Sequence, residues 1–158
     1  AASTGGNSAG DDFVFREIDV VGELSSDNFD SWISDPAFGL AVDDQDFADD
    51  PDGDQLGNGL EAWFGSHPGQ FNAGLANIST AGNITTFTHP QNATVPDDLT
   101  GYYEWSPNLV DWYLSGNGPD GGITVTFSTN TIGTTTTVTA TASEGLDKIF
   151  LRAGVSQN

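Results

Sequence analysis

Seven aspartates, Asp43, Asp44, Asp46, Asp49, Asp50, Asp52 and Asp54, crowd into the stretch 43–54, and no lysine or arginine lies near them. A folded chain tolerates such crowding in one of two ways: the run stays solvated, or a bound cation gathers the carboxylates. The spacing separates the two. Counting from Asp50 as position 1 of "DPDGDQLGNGLE", Asp52 stands at 3, Asp54 at 5, Leu56 at 7, Asn58 at 9 and Glu61 at 12. A hard cation wants about six to eight oxygens at ~2.3–2.6 Å, and alternate residues of a tightly curled loop turn theirs inward. Position 7 offers its backbone carbonyl and a glutamate at 12 offers both oxygens, which is the EF-hand-type pattern. The spacing therefore predicts Ca²⁺ on Asp50, Asp52, Asp54, Leu56, Asn58 and Glu61. Gln55 departs from the pattern. It occupies position 6, where glycine normally takes a left-handed turn, and a side chain there costs about 1 kcal/mol and weakens the site.

Charge bounds the partners. The chain carries 23 acidic residues against three basic ones, Arg16, Lys148 and Arg152, for a formal net charge of −20. Such a surface repels nucleic acid and anionic lipid, so neither is expected as a partner. Self-repulsion opposes folding at low ionic strength and shrinks as salt shortens the Debye length. A saline habitat is the expectation, with acidic exported proteins of ordinary habitats as the alternative. There is no cysteine, which excludes disulfides, thiolate metal sites and cysteine nucleophiles. No run of 18 apolar residues exists, so no membrane insertion is expected. The opening "AASTGG" reads as the product of signal cleavage after a small residue, although a trimmed chain would read the same. Export to the cell surface or beyond is the expected localisation.

Along the chain, residues 1–12 read as a flexible arm, and "FVFREIDVV" (13–21) has the β-branched and aromatic content of a strand. Residues 22–70 read as a helix–calcium loop–helix segment. Ser26 or Asp27 offers a cap to a short helix whose Phe29, Trp32 and Ile33 share a face. Leu56, Leu60, Trp63 and Phe64 stand at helical spacing and Gly65 ends the run. Residues 71–158 turn to strands, at 73–79, 83–89, 100–106, 109–115, 122–129, 134–141 and 147–155. Ile123, Val125 and Phe127 alternate with polar residues, as do Ile149, Leu151, Ala153 and Val155. Short strands separated by turns predict a mostly β chain, an antiparallel β-sandwich of Ig-like or jelly-roll type packed as one compact unit with the helical segment.

"FDSWISD…DDPDGDQLGNGLEAWFG" resembles the carboxy-terminal region of large exported proteins of Verrucomicrobia, Planctomycetes and related bacteria. Its loop is also similar to dockerin and thrombospondin type 3 calcium loops. "YYEWSPNLVDW" (102–112) and "KIFLRAGV" are similar to that family's strand pair and closing strand. The resemblance implies a secreted or cell-surface β-domain with calcium and no settled activity.

Other residues are weighed against simpler roles. Tyr102, Trp105 and Trp112, with Tyr103 and Tyr113, are candidates for a sugar-stacking platform, although core packing is the simpler reading. His67 and His89 precede prolines in expected loops and have no zinc-ligand partner. No nucleophile elbow or phosphate loop is present, and the carboxylates are better explained by calcium than by a glycosidase. The chain is therefore not expected to be an enzyme. The favoured expectation is a secreted calcium-binding structural protein that assembles with copies of itself into a filament or surface layer. Its strand 13–21 would then be donated to a neighbour through Phe13, Val14, Phe15, Ile18 or Val20. The alternative is a carbohydrate-binding or surface-attachment module of a larger exported enzyme, with a polysaccharide as partner.

Overall fold

Period-two burial in the second half of the chain sets the architecture. Thr136, Val138, Ala140 and Ala142 are buried and the residues between them are not. Thr85, Phe87 and His89 repeat the pattern one strand away. Alternation of this kind puts each buried set on one face of an extended strand.

The computed structural model describes residues 27–120 and 122–158. Seven strands are present among them: β1 (Asn77–Ala81), β2 (Ile84–Pro90), β3 (Leu99–Ser106), β4 (Tyr113–Leu114), β5 (Val125–Ile132), β6 (Thr135–Ala142) and β7 (Phe150–Gln157). They form two antiparallel sheets, one ordered β1-β2-β6-β5 and the other β4-β3-β7. The chain changes sheet after β2, after β4 and after β6. The fold is thus mostly β, with two short helices, α1 (Phe29–Ile33) and α2 (Asn58–Phe64).

Two apolar clusters hold it. Trp105 of β3 is fully buried against Val125, Ala140 and Ala142 of the opposite sheet, with Tyr113, Phe127 and Leu151 around it. The small Ala140 and Ala142 leave room for the large indole that faces them. The Trp105 indole N–H donates to the Asn117 carbonyl at 3.0 Å, so its single polar atom is not stranded. The second cluster joins Phe29 and Ile33 of α1, Ala62 of α2 and Leu99 of β3. The Trp63 ring of α2 packs against Gly101 of β3, where any Cβ would collide with it. That contact seats the helical segment on the smaller sheet.

Several expectations change in detail. The cap of α1 is Asn28, whose side chain accepts the Ser31 N–H at 2.9 Å, one residue beyond Asp27. The strand expected at 109–115 shrinks to Tyr113–Leu114. Ser106 Oγ accepts the N–H groups of Asn108 and Leu109, and Asn108 Oδ1 accepts those of Val110 and Asp111, which holds this stretch as a turn. His89 lies in β2 and is buried, not in a loop. The arm 1–12 and the stretch 13–21, with Phe13, Val14, Phe15, Ile18 and Val20, fall outside the described residues. Among the described residues no helix is long and apolar enough to cross a membrane.

Candidate metal centre

The acidic loop curls because its own side chains bond its backbone. Asp50 Oδ1 accepts the N–H of Gly53 at 2.9 Å and of Asp54 at 3.1 Å, and Asp50 Oδ2 accepts that of Gln55 at 2.9 Å. Asp52 Oδ1 accepts the Asp54 N–H, and Asp54 Oδ1 accepts the Leu56 N–H. These bonds need two left-handed residues, Gly53 at φ 76° and Gln55 at φ 74°. Gln55 thus takes the conformation that position 6 demands, at a steric cost glycine would not carry.

The curl brings one carboxylate oxygen from each of Asp50, Asp52 and Asp54 within 4.8 Å of one another, a cluster that can hold a metal ion. Asn58 and Glu61, on the first turn of α2, are fully buried behind it. The Asn58 amide nitrogen donates to the carbonyls of Asp44 and Asp46, both at 2.9 Å. Those two bonds fix the amide orientation, so Oδ1 points the other way. Glu61 Oε1 accepts from Ser66 Oγ at 3.3 Å and Asn72 Nδ2 at 3.4 Å. The N–H groups of Leu60 and Glu61 both turn to the Gly57 carbonyl, which leaves the Leu56 carbonyl outside the helical ladder.

Three buried side-chain atoms among the described residues have no hydrogen-bond partner: Asp52 Oδ2, Asn58 Oδ1 and Glu61 Oε2. All three belong to the ligand set that spacing predicts. Stranding a buried acceptor costs about 1–3 kcal/mol, more for a charged one, so three in one loop call for a common partner.

Electrostatics agree with that geometry. Burial, followed by the charges of Asp52 and Asp54, pushes the Glu61 carboxyl up to about 8. Burial also raises Asp52, an effect partly offset by the Asp54 N–H. Burial would raise Asp50 too, yet the N–H groups of Gln55, Gly53 and Asp54 hold it below its ordinary value. Without a cation these carboxylates oppose one another's ionisation, and a bound divalent ion inverts that relation.

Spacing did not reveal the outer supports of the site. Asn72 donates its N–H to Asp54 Oδ2 at 2.8 Å besides touching Glu61, and it stands 11 residues beyond Glu61. The Phe47 ring covers Gly59 so closely that no Cβ fits, which ties the loop entrance to α2. Nothing in the ligand pattern marks either residue.

The aromatic candidates do not form an exposed row. Trp105 is at 0 % exposure and presents no face to a sugar. Tyr103 packs against Phe87 and Phe127. Trp112 is covered by the Arg152 guanidinium, 4.1 Å from its ring centre, and Arg152 also pairs with Glu104 at 2.7 Å. Tyr102, at 37 %, is the exposed member. His67 accepts the Gly69 N–H through Nδ1 and lies edge-on to Phe38, a structural role.

Comparison with family models, with curated proteins and with solved structures gives no match to this chain.

Proposed function

We propose that this chain is a Ca²⁺-stabilised structural domain that works outside the cell and associates with copies of itself. The observation that carries the calcium reading is the set of three unpartnered buried oxygens inside the loop whose spacing predicts them as ligands. The donor set is all oxygen, which disfavours zinc. Six residues, with Glu61 bidentate, offer a hard cation of variable coordination more oxygens than the six of an octahedral Mg²⁺ shell. In this reading the two facing sheets are a β-sandwich of Ig-like or jelly-roll type, and α1, the loop and α2 form its calcium-bearing appendage. Extracellular calcium modules work at roughly 10⁻⁴–10⁻³ M, so export would keep such a site loaded. The resemblance to carboxy-terminal regions of exported bacterial proteins supports the same location.

Association is supported by the sheet edges. All five residues of β1 are exposed, Ile78 at 65 %, and edge strand β5 ends in Ile132 at 75 %. Open strand edges that carry exposed apolar side chains pair readily with another copy. Calorimetry with CaCl₂ and MgCl₂ tests the metal, and sedimentation velocity in saturating calcium tests association. Absence of heat at millimolar calcium sinks the first, and a monomer at every concentration sinks the second.

A further inference from the structure

Between the two sheets, on the side where both leave an edge open, lies an apolar groove of about 350 Å³. Ile78 of β1 forms one wall and Leu151 and Ala153 of β7 the other, with Leu56, Leu60 and Phe64 as floor. Each flanking strand is the last of its sheet, and among the described residues each has one paired neighbour, β2 for β1 and β3 for β7. The groove therefore offers apolar side-chain pockets together with two rows of backbone donors and acceptors, the combination that an added strand fills.

We propose that this groove receives residues 13–21 of a second copy of the chain, laid as an extra strand between β1 and β7. The proposal rests on the self-association reading above and names its contact. The stretch "FVFREIDVV" is the one apolar, β-branched run in the 26 residues that precede the described chain. Nine extended residues span about 30 Å, enough to run the length of an eight-residue edge such as β7. The described chain starts at Asp27, whose carbonyl accepts the Asp97 N–H at 2.6 Å, and Asn158, just past β7, bonds the Asp98 carbonyl next to it. Residues 22–26 span at most about 17 Å from that anchor, a tether that leaves 13–21 within reach of a neighbouring copy. A strand given to one neighbour while the groove accepts from another is a heterologous contact, which propagates instead of closing. Leu56 belongs both to the groove floor and to the expected ligand set, so calcium also shapes the acceptor.

The cysteine-free chain makes the test clean. Glu17→Cys and Ile18→Cys, on opposite faces of the arm by alternation, are each mixed as full-length protein with Ala153→Cys and oxidised mildly in calcium. The expected result is an interchain disulfide, at twice the 16.5 kDa chain mass, from one of the two mixtures and not the other. Ile78→Asp, at an exposed wall position, should weaken self-association at least about tenfold, as loss of an interface anchor does. If chains carrying Ala153→Cys together with Glu17→Cys or Ile18→Cys close a disulfide within one chain and the mixtures give no interchain product, the arm fills its own groove and the second-copy assignment is overturned. If neither bond forms while the intact protein still sediments as an assembly, the groove is not the acceptor, although self-association stands. A monomer at all concentrations overturns the underlying reading itself.

Discussion

The interior between the sheets and the interior of the acidic loop treat polar atoms in opposite ways. Between the sheets, buried His89 bonds the Pro90 carbonyl through Nδ1 at 2.6 Å and the Tyr103 hydroxyl through Nε2 at 2.7 Å. Because a carbonyl only accepts, Nδ1 carries the proton and Nε2 accepts from Tyr103. Burial holds His89 neutral by lowering its pKa, and burial pushes Tyr103 up to about 12, so both stay in the forms that this pair needs. Buried Thr136 likewise donates to Gln91. Around the acidic loop, by contrast, three buried oxygens have no hydrogen-bond partner. The polar side chains buried between the sheets find partners within the chain, whereas the three loop-side oxygens do not. Stability should accordingly divide into a metal-independent part and a metal-dependent one.

The largest expected effect attacks the self-sufficient half. Trp105→Ala should cost about 3–5 kcal/mol, as large aromatic-to-alanine changes in cores do, and leave calcium affinity unchanged in titration calorimetry. A loss of affinity comparable to the loss of stability would break the division between the halves. Next comes removal of the metal. At a hundredfold excess over Kd, calcium adds about 2.7 kcal/mol, and its chelation should lower the melting temperature by roughly 5–10 °C in a domain this size. Hydrogen exchange should then show lost protection at residues 49–61 while β2 and β6 stay protected; uniform loss would show one cooperative unit.

The pH response sharpens the contrast further. In metal-free protein, folded Glu61 keeps its proton up to about 8, whereas an unfolded glutamate releases it near 4.5. Folding therefore binds a proton across that window, and its contribution is present below pH 4.5 and lost as pH rises towards 8. Metal-free protein should thus lose stability on going from pH 5 to 8, and calcium-saturated protein should not. Melting curves at both pH values with and without chelator check this. A smaller gain is expected from Gln55→Gly, about 0.5–1 kcal/mol, because it removes the left-handed strain while freeing the unfolded chain somewhat. Chemical denaturation measures it, and a loss of stability would mean that the Gln55 side chain has a role of its own. The smallest effect is a gradual rise in melting temperature between low and molar NaCl with calcium saturated, as the remaining carboxylates are screened.

Much of this was legible in the chain, for physical reasons that differ by region. Alternation of Ile123, Val125 and Phe127 placed β5 within a few residues, because period two survives wherever one face is buried, and the strand expected at 134–141 matches β6 to within one residue. The ligand spacing pointed to Asn58 and Glu61 on one helical turn, and both are buried there. What escaped is side-chain capture of backbone. Asn108 and Ser106 take four N–H groups that a longer β4 would have used, and propensity over 109–115 carries no trace of it. His89 looked loop-bound because proline follows it, yet Pro90 closes β2 with its carbonyl on the His89 ring. Asn72 reaches Glu61 from 11 residues on and Ser66 from five, and both lie beyond the last position of the ligand pattern, which marks neither.

The two-sided grip of Asn58 limits which residues evolution or engineering can place there. Its nitrogen satisfies the Asp44 and Asp46 carbonyls, while its buried oxygen has no hydrogen-bond partner. Aspartate, an acceptable ligand by charge, would set a carboxylate against two carbonyl dipoles and lose both donor bonds. Glutamine keeps the chemistry but is one methylene too long for a fully buried seat. The position is thus a narrow gate in sequence space: a substitution that raises the loop's formal charge should weaken, not strengthen, its hold on a cation.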